Sequence, residues 1–207
     1  MLRYTVRTEH GRIRTADFLR VFVDVPRHLA FCRRCSRHDS NWACPEFDFD
    51  PRAVWASRDW LHLTAYVMEF TEDQPRTGFD PDELMAEVQA MYHHQKRLAH
   101  RDLMALKAAV PDSTPIGAGE CDLCAVCTRV DGQPCRIPDQ LVHSIEALGG
   151  DVAATLSELF DLPSRWSDGT TLPDYYLVVV GMLADQEDIT PFLAAVRPAP
   201  ARPVPGA

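Results

Sequence analysis

Seven cysteines are the residues of this chain best suited to chemistry, and they fall into two groups. The first group is Cys32, Cys35 and Cys44, and the second is Cys121, Cys124, Cys127 and Cys135. The number is odd, and charged side chains interrupt residues 1–22, which argues against a secretory signal. We therefore expect a cytoplasmic protein. The cytoplasm is a reducing compartment and does not sustain a disulfide framework, so these cysteines are not expected to form disulfides. Thiolates that bind metal are the better prediction for both groups.

The second group has the spacing C-x2-C-x2-C-x7-C, with Pro134 before its last cysteine. Three thiolates spaced by two residues can wrap successive irons of one cubane cluster, and a fourth can arrive from a short loop. The related ferredoxin spacing has a shorter last gap, so Cys135 is expected to serve the same cluster. Zinc needs only two close pairs and requires no middle cysteine. The pattern favours a 4Fe-4S cluster, with zinc and unligated or redox-active thiols as alternatives.

The first group, C-x2-C-x8-C, supplies only three thiolates. Three cysteines can hold a cubane with one iron open to substrate or water, and an open position separates catalytic from structural metals. Alternatively, a thiolate of the second group or another nearby side chain completes the site. The side chains considered are His38, Asp39, Glu46 and His143. A further alternative is one zinc shared by Cys32, Cys35, Cys121 and Cys124, which leaves three cysteines unused.

Basic side chains surround the first group in an otherwise acidic protein. They are Arg27, His28, Arg33, Arg34, Arg37 and His38. As a set they could raise the reduction potential of a cluster or bind an anionic substrate, although any single arginine is better explained as a solvated surface residue. Trp42 either shields a cluster from water or belongs to the core. His93, His94 and His100 lack the i, i+4 spacing of a two-histidine metal site and are predicted to lie at the surface.

Helices and strands of mixed order must position these residues. Residues 2–14 alternate and predict a hairpin that turns at Glu9–Gly11, and Thr15 is expected to cap a helix that Pro26 ends. The first cysteine group should follow in a loop. Asp80 is expected to cap a long helix that continues to Val110. Strands are predicted at 61–70, 113–118 and 175–183, and helices at 138–148 and 151–160.

The composition, 46% apolar and 25% charged over 207 residues, is that of a globular domain with a sizeable core. We predict one α+β domain over residues 1–196, with a small mixed sheet, packed helices and two cysteine-rich metal-binding loops. Residues 197–207 are rich in proline and predict a flexible tail. The net charge of −9 argues against nucleic acid as a partner, and the longest apolar run, 175–183, is too short to span a membrane.

Four motifs, in this order along the chain, resemble the predicted metal-binding proteins of domain-of-unknown-function family 2284. They are CRRC to WACP (32–45), GECDLCAVC (119–127), PCRIP (134–138) and SIEALGGDV (144–152). The likeness covers nearly the whole chain except the tail. It implies an iron–sulfur-like protein with all seven cysteines as ligands. Glu46 stands where the family usually has a second proline and His143 where it usually has proline, so each is a candidate for an extra ligand.

The last of these motifs suggests three supporting roles. Ser144 could form a hydrogen bond with a cluster sulfur, and Glu146 could anchor Arg136, unless it is simply an exposed helix carboxylate. The Gly149-Gly150 pair permits a close approach between two backbone segments.

Three functions are consistent with these observations. The preferred one is an iron–sulfur protein that transfers electrons to a redox partner protein. The second is an enzyme whose three-cysteine cluster offers an open iron to its substrate, which would require a concave site beside the first group. The third is a zinc-stabilised interaction module, in which the metal replaces part of the core.

Overall fold

A computed structural model describes residues 2–195 of the chain, and in this part five strands and six helices are present. The strands are β1 (Tyr4–Arg14), β2 (Trp60–Phe70), β3 (Thr114–Gly117), β4 (His143–Ser144) and β5 (Tyr175–Ala184). The helices are α1 (Thr15–Phe22), α2 (Val25–Cys32), α3 (Arg52–Trp55), α4 (Pro81–Ala109), α5 (Val152–Phe160) and α6 (Thr190–Ala195). Of two short 3₁₀ helices, Thr128–Asp131 lies within the second cysteine group, between Cys127 and Cys135, and Pro138–Gln140 follows the group.

The strands form one sheet in the order β1-β2-β5-β3-β4. Neighbours are antiparallel except β3 and β4, which pair in parallel, so the sheet is mixed and the predicted α+β class is confirmed. The central strands β2 and β5 are buried over most of their length on both faces, because helices cover both sides of them. Two apolar cores result, one on each face of the sheet.

The first core lies between the sheet and the helices α4 and α6, and includes Met68, Val178 and Leu103. The second lies between the opposite face and the helices α1, α3 and α5, and includes Phe18 and Trp55, both fully buried. Burying side chains of this size contributes about 1.5–3 kcal/mol each. These two layers fix the frame from which both cysteine groups project.

The hairpin predicted over residues 2–14 is wrong, because β1 runs straight from Tyr4 to Arg14. It pairs with β2 along its whole length, from Tyr4 opposite Phe70 to Arg14 opposite Trp60. Gly11 does not turn the chain. Instead it makes room for an aromatic ring, since a Cβ at this position would lie 2.9 Å from Cζ of Phe160. The alternating pattern therefore belongs to one long edge strand.

The helix predicted after Thr15 is present as α1 but ends at Phe22, before Pro26, and a second helix, α2, follows it. Thr15 is the first residue of α1 and not its cap, and its hydroxyl donates to the carbonyl of Arg58. After Phe22 the chain is extended at Val23, which forms a bridge with Gly150. Pro26 does not end a helix but lies in the first turn of α2, where its missing N–H costs no helical hydrogen bond.

The long helix predicted from Asp80 is confirmed as α4. The Asp80 carboxylate accepts hydrogen bonds from the backbone N–H of Asp82 (3.0 Å) and Glu83 (3.2 Å). The helix ends at Ala109, two residues before Pro111. Its buried residues, Leu84 to Leu106, pack on β5 and β3, so α4 spans the sheet and reaches the second cysteine region.

The remaining predictions had mixed outcomes. The three predicted strands correspond to β2, β3 and β5, and α5 begins after Asp151, which accepts from the N–H of Ala154 at 2.9 Å. The helix predicted at 138–148 is wrong. Its centre pairs with β3 as β4, and the N–H of Ser144 donates to the carbonyl of Ala43, so long-range hydrogen bonds replace helical ones.

Helices α2, α3 and α6 were not predicted from the sequence. The tail predicted at 197–207 lies outside the described residues. No helix within residues 2–195 combines the length and the apolar character needed to cross a membrane.

Candidate metal centre

The first cysteine group begins on a helix and continues in two turns, rather than lying wholly in a loop. Cys32 is the last residue of α2, whose start is capped by the Asp24 carboxylate. The N–H of Cys35 donates to the carbonyl of Cys32 at 2.8 Å, and the thiol of Cys35 is exposed. Cys44 returns to the same region because its carbonyl accepts from the N–H of Asp39 at 2.9 Å. Local backbone hydrogen bonds therefore gather these three cysteines.

Two thiols of the first group point towards the segment that follows β3 and the turn that follows β4. The Cys32 thiol lies 3.8 Å from the carbonyl oxygen of Glu146, and the Cys44 thiol lies 3.8 Å from that of Gly119. Burial, the Glu146 carboxylate and the neighbouring Cys32 together raise the pKa of Cys44 to about 12, whereas Lys96 acts to lower it. Without a metal these groups are thiols at neutral pH, so metal binding would release protons.

The second group lines one cavity. All four of its cysteines contribute, together with Trp42, Leu123, Thr128 and Ile137 among others. No cysteine of the first group is part of this lining. Burial, followed by the charges of neighbouring groups that include Cys124 and Cys127, raises the pKa of Cys121. Four thiols around one space form a soft donor set, which suits zinc and iron–sulfur clusters rather than magnesium or calcium.

A closed loop brings the last cysteine of this group back to the other three. After Cys127 a 3₁₀ turn ends at Gly132, which has φ +64°, a left-handed conformation that glycine adopts readily. The N–H of Gln133 donates to the carbonyl of Thr128 at 3.0 Å, and the Thr128 hydroxyl donates to the carbonyl of Pro134 at 2.8 Å. The seven-residue gap is therefore a short excursion that returns Cys135 to the cavity.

Trp42 connects the two groups. It is close to Cys44 in sequence, yet its ring lines the cavity of the second group and its indole N–H donates to the carbonyl of Gln133 at 3.0 Å. The guanidinium of Arg129 lies over this ring, 4.7 Å from the centroid, and also pairs with Asp39. Trp42 thus lies against the second group, and a residue of the first loop helps to hold the second loop in place.

Asn41 is a connecting residue that the sequence analysis missed. Its side chain is almost fully buried, and its Oδ1 accepts from the N–H of Ala43 (3.1 Å) and of Cys121 (3.3 Å). Its Nδ2 donates to the carbonyl of Arg37 at 3.0 Å. The amide of Asn41 therefore forms hydrogen bonds with backbone groups of both the first and the second cysteine group. The only sequence signal was its position three residues before Cys44.

A family model described as predicted metal-binding protein (DUF2284) matches residues 21–183, a range that contains all seven cysteines. The chain belongs to this family. No curated protein and no solved structure gives a significant match. The DUF2284 description names metal binding without a particular metal, and the residues described above are those of this chain suited to it.

Glu146 of this DUF2284 protein was predicted to anchor Arg136, and this prediction is wrong. Glu146 does not contact Arg136, which instead donates to the carbonyl of Val126. The Glu146 carboxylate accepts from the Ser144 hydroxyl (2.6 Å) and from the N–H of Gly119 (3.0 Å). It therefore holds the chain after β3 against the turn after β4, close to Cys32 and Cys44.

The expected close approach at the glycine pair is present. Gly149 has φ +85°, and a Cβ there would lie 2.6 Å from Cγ2 of Val25. The N–H of Asp24 donates to the carbonyl of Gly149 at 2.9 Å. This contact fixes the start of α2, and hence Cys32, relative to Glu146.

Two of the arginines around the first group form ion pairs, Arg33 with Glu46 (2.8 Å) and Arg37 with Glu120 (2.9 Å). Two imidazoles lie near carboxylates: His38 is 3.4 Å from Glu46, and His28 is 3.7 Å from Asp151. Glu46 is thus held by Arg33, and His143 packs edge-on against Phe47 with ring centroids 5.1 Å apart. Their suggested roles as extra ligands stay predictions.

The three histidines of α4 differ from one another. His94 is exposed, as predicted, but His93 is partly buried and pairs with Asp122 at 3.3 Å. Nε2 of His100 is buried, so the surface prediction is wrong for this residue, and burial lowers its pKa. Periodicity alone missed this because the loop that bears Asp122 packs on the same side of the helix.

Within residues 2–195, no group of three or more His, Cys, Asp and Glu side chains is placed to hold a metal ion. A single zinc requires four donors at about 2.0–2.3 Å, whereas a cubane distributes its thiolates over four irons and holds them further apart. The cavity of the second group measures about 10 Å³. Its four cysteines all lie outside helices and strands.

Proposed function

We propose that the protein binds an iron–sulfur cluster in each cysteine group and transfers electrons to a partner protein. The observation that carries this proposal is the lining of one cavity by four cysteines, with the thiols of Cys32 and Cys44 directed at the neighbouring segments. When bound, such clusters accept and donate single electrons. The residues of this chain bind, shield and connect them.

The donor set of the second group supports a cluster. Its first three cysteines are spaced by two residues, and the loop closed by Thr128 returns the fourth to them. Trp42 covers this group and would exclude water, which influences the reduction potential of a cluster. Four protein thiols leave no open iron, so this is the better candidate for a pure electron-transfer centre.

The two groups are close enough to communicate through the protein. Cys44 contacts the carbonyl of Gly119, which is two residues before Cys121, and Asn41 bonds to backbone in both segments. Electrons passing between two centres would cross only this short bridge. The exposed apolar side chains of Val126, Val130 and Ile137 beside the second group offer a contact surface for a redox partner.

Catalysis at the first group is the second candidate, and the surroundings of Cys44 favour it. Three thiols leave one iron of a cubane without a cysteine, and both Glu146 and Lys96 act on Cys44. Burial, followed by the charge of Glu146, raises the pKa of Tyr92 to about 12, so this phenol stays protonated. A proton donor, a carboxylate and a cation at one metal site are the groups that acid–base chemistry requires.

Anaerobic purification tests the proposal. We expect a brown protein with the visible absorbance of iron–sulfur clusters, iron and sulfide in near-equal amounts, and an electron paramagnetic resonance signal after reduction. The variants Cys124→Ser and Cys44→Ser serve as controls for each other, because each should remove iron from its own group and leave the other group loaded. A colourless protein that contains zinc would refute the proposal and support the zinc-stabilised interaction module. Loss of all iron in both variants would contradict separate sites.

A further inference from the structure

A cavity of about 280 Å³ lies on the face of the sheet that carries α4 and α6. It is bounded by β1, β2 and β5 below and by the two helices at its sides, and its described lining contains no cysteine. Its volume is close to the lower limit of about 300 Å³ for small-molecule sites in proteins. The cavity is therefore separate from both cysteine groups and large enough for a small organic ligand.

Polar cross-strand pairs form the floor of this cavity. The pairs are Thr8 with Tyr66, His10 with Thr64, and Arg12 with His62. The preceding pairs on the same face are apolar: Tyr4 with Phe70 and Val6 with Met68. Side chains on one face of a strand usually share one environment. The change from apolar to polar pairs therefore marks the point where β1 stops contributing to the core on this face. It occurs where the cavity opens.

The other walls of the cavity are apolar. Leu103 and Leu106 of α4, Leu193 of α6, and Val180 and Met182 of β5 contribute to them. A ligand here would meet hydrogen-bonding groups on one side and aliphatic groups on the other. This arrangement is typical of sites for molecules with one polar and one apolar end.

The charged groups of the lining already have partners. The Asp102 carboxylate accepts from Arg101 (2.8 Å) and from the hydroxyl of Tyr66 (3.3 Å). Arg12 pairs with Glu187 at 3.4 Å, and the Asp188 carboxylate accepts from the N–H of Thr190 at 2.9 Å. A charged ligand would therefore have to displace one of these contacts or remain uncompensated, which is costly in a partly buried site.

Neutral hydrogen-bonding groups remain for a ligand. Nε2 of His62 donates to the carbonyl of Gln186 at 2.8 Å, which leaves its Nδ1 as an acceptor. Within the described part of the chain, the hydroxyl of Thr8 and Nε2 of His10 have no hydrogen-bond partner, since His10 contacts Thr64 through Nδ1. The oxygen of Tyr66 donates to Asp102 and can still accept.

We propose that this cavity binds a small uncharged molecule with a hydroxyl or carbonyl group at one end and an apolar ring or chain at the other. The polar end lies against Thr8, His10 and Tyr66, and the apolar end lies against Leu106 and Leu193. Binding involves no cysteine, so it does not depend on iron in the protein.

The position of the cavity relates it to the metal centre. Leu103 and Val180 line it and also line a smaller cavity of about 40 Å³, to which Cys121 and Glu120 contribute. One layer of side chains thus separates the ligand from the region of the second cysteine group. A molecule bound here would lie between the sheet and the helices α4 and α6, on the core side of that group.

Three probes of similar shape and different charge test the proposal with the full chain: benzyl alcohol, benzoate and benzylamine. Each is titrated into isotopically labelled protein and followed by the amide resonances of β1 and β2. We expect benzyl alcohol to bind at a single site, and the two charged probes to bind at least about tenfold more weakly because of the cost of burying their charge. Equal binding of all three probes, or no binding of the alcohol, would overturn the proposal.

Two variants locate the site. Thr8→Val should weaken the binding of benzyl alcohol about five- to tenfold, as expected for the loss of one hydrogen bond. Thr5→Val is the matched control, because Thr5 lies on the same strand with its side chain on the opposite face. Leu193→Trp fills the cavity from the partly buried side of α6 and should abolish binding. Unchanged binding in both Thr8→Val and Leu193→Trp refutes this location. The affinity for benzyl alcohol should be the same in iron-free and iron-loaded protein, whatever metal the cysteines bind.

Discussion

Replacing Gly149 with alanine introduces a methyl group at the contact between α2 and the turn before α5. Gly149 has φ +85°, and the new Cβ would lie 2.6 Å from Cγ2 and 2.8 Å from Cα of Val25. The second of these is a backbone atom, so rotating a side chain does not relieve the overlap. We expect α2 to shift away, and Cys32, at its end, to move relative to Glu146.

Two terms determine the size of the effect. A residue with a Cβ in the left-handed region costs about 1–2 kcal/mol relative to glycine, partly offset by the lower entropy of the unfolded chain. The steric overlap with Val25 adds about 1–3 kcal/mol, as in other overpacked sites. The free energy of unfolding should therefore fall by about 2–4 kcal/mol, a large share of the about 5–15 kcal/mol of a typical domain.

Gly78→Ala is the matched control. Gly78 also has φ +85°, but nothing lies within 4 Å of a Cβ added there, so this variant carries the backbone term alone. Urea denaturation followed by circular dichroism measures both variants, and iron analysis after anaerobic purification measures the first cysteine group. We expect Gly149→Ala to be less stable than Gly78→Ala by about 1–3 kcal/mol and to lose iron from the first group only. Equal stability of the two variants would refute the close-contact argument.

Two further predictions concern charge. Lys96→Gln removes the cation that lowers the pKa of Cys44, so the reduction potential of a cluster in the first group should become more negative in a redox titration. Lys107→Gln, further along α4, should leave it unchanged, and equal shifts would contradict a local effect. Burial is the main cause that lowers the pKa of His62 below 6.5, so its contribution to stability is present above this pH and is lost as pH falls below it. His62→Gln should flatten the fall in the urea midpoint between pH 7 and about pH 5, and an unchanged slope would contradict this assignment.

Local sequence signals predicted the elements whose causes are local. The carboxylate, proline and acidic residues at 80–83 satisfy the first turn of a helix by themselves, so α4 could be predicted without knowledge of its neighbours. The apolar run at 175–183 can be stable only as a buried segment, and β5 is the second central strand of the sheet. In both cases the physical requirement lies within a few consecutive residues.

The errors came from interactions between distant segments. Gly11 was interpreted as a turn residue, although its lack of a side chain serves the ring of Phe160, which lies 149 positions later. The segment 138–148 has helical spacing, but the sheet edge and the first cysteine loop bind its backbone instead. Spacing along the chain cannot report a partner that is supplied by another element.

The same division holds for the candidate site. Cysteine spacing by itself determined that two thiol-rich segments exist and that soft metals suit them, because those spacings are short and the chemistry belongs to the side chain. Only the tertiary structure decided that Trp42 covers the second group, that Asn41 bonds to both segments, and that Glu146 contacts Gly119 rather than Arg136. Each of these contacts depends on hydrogen bonds between residues far apart in sequence, and their partners are chosen only when the sheet and its helices have brought them together.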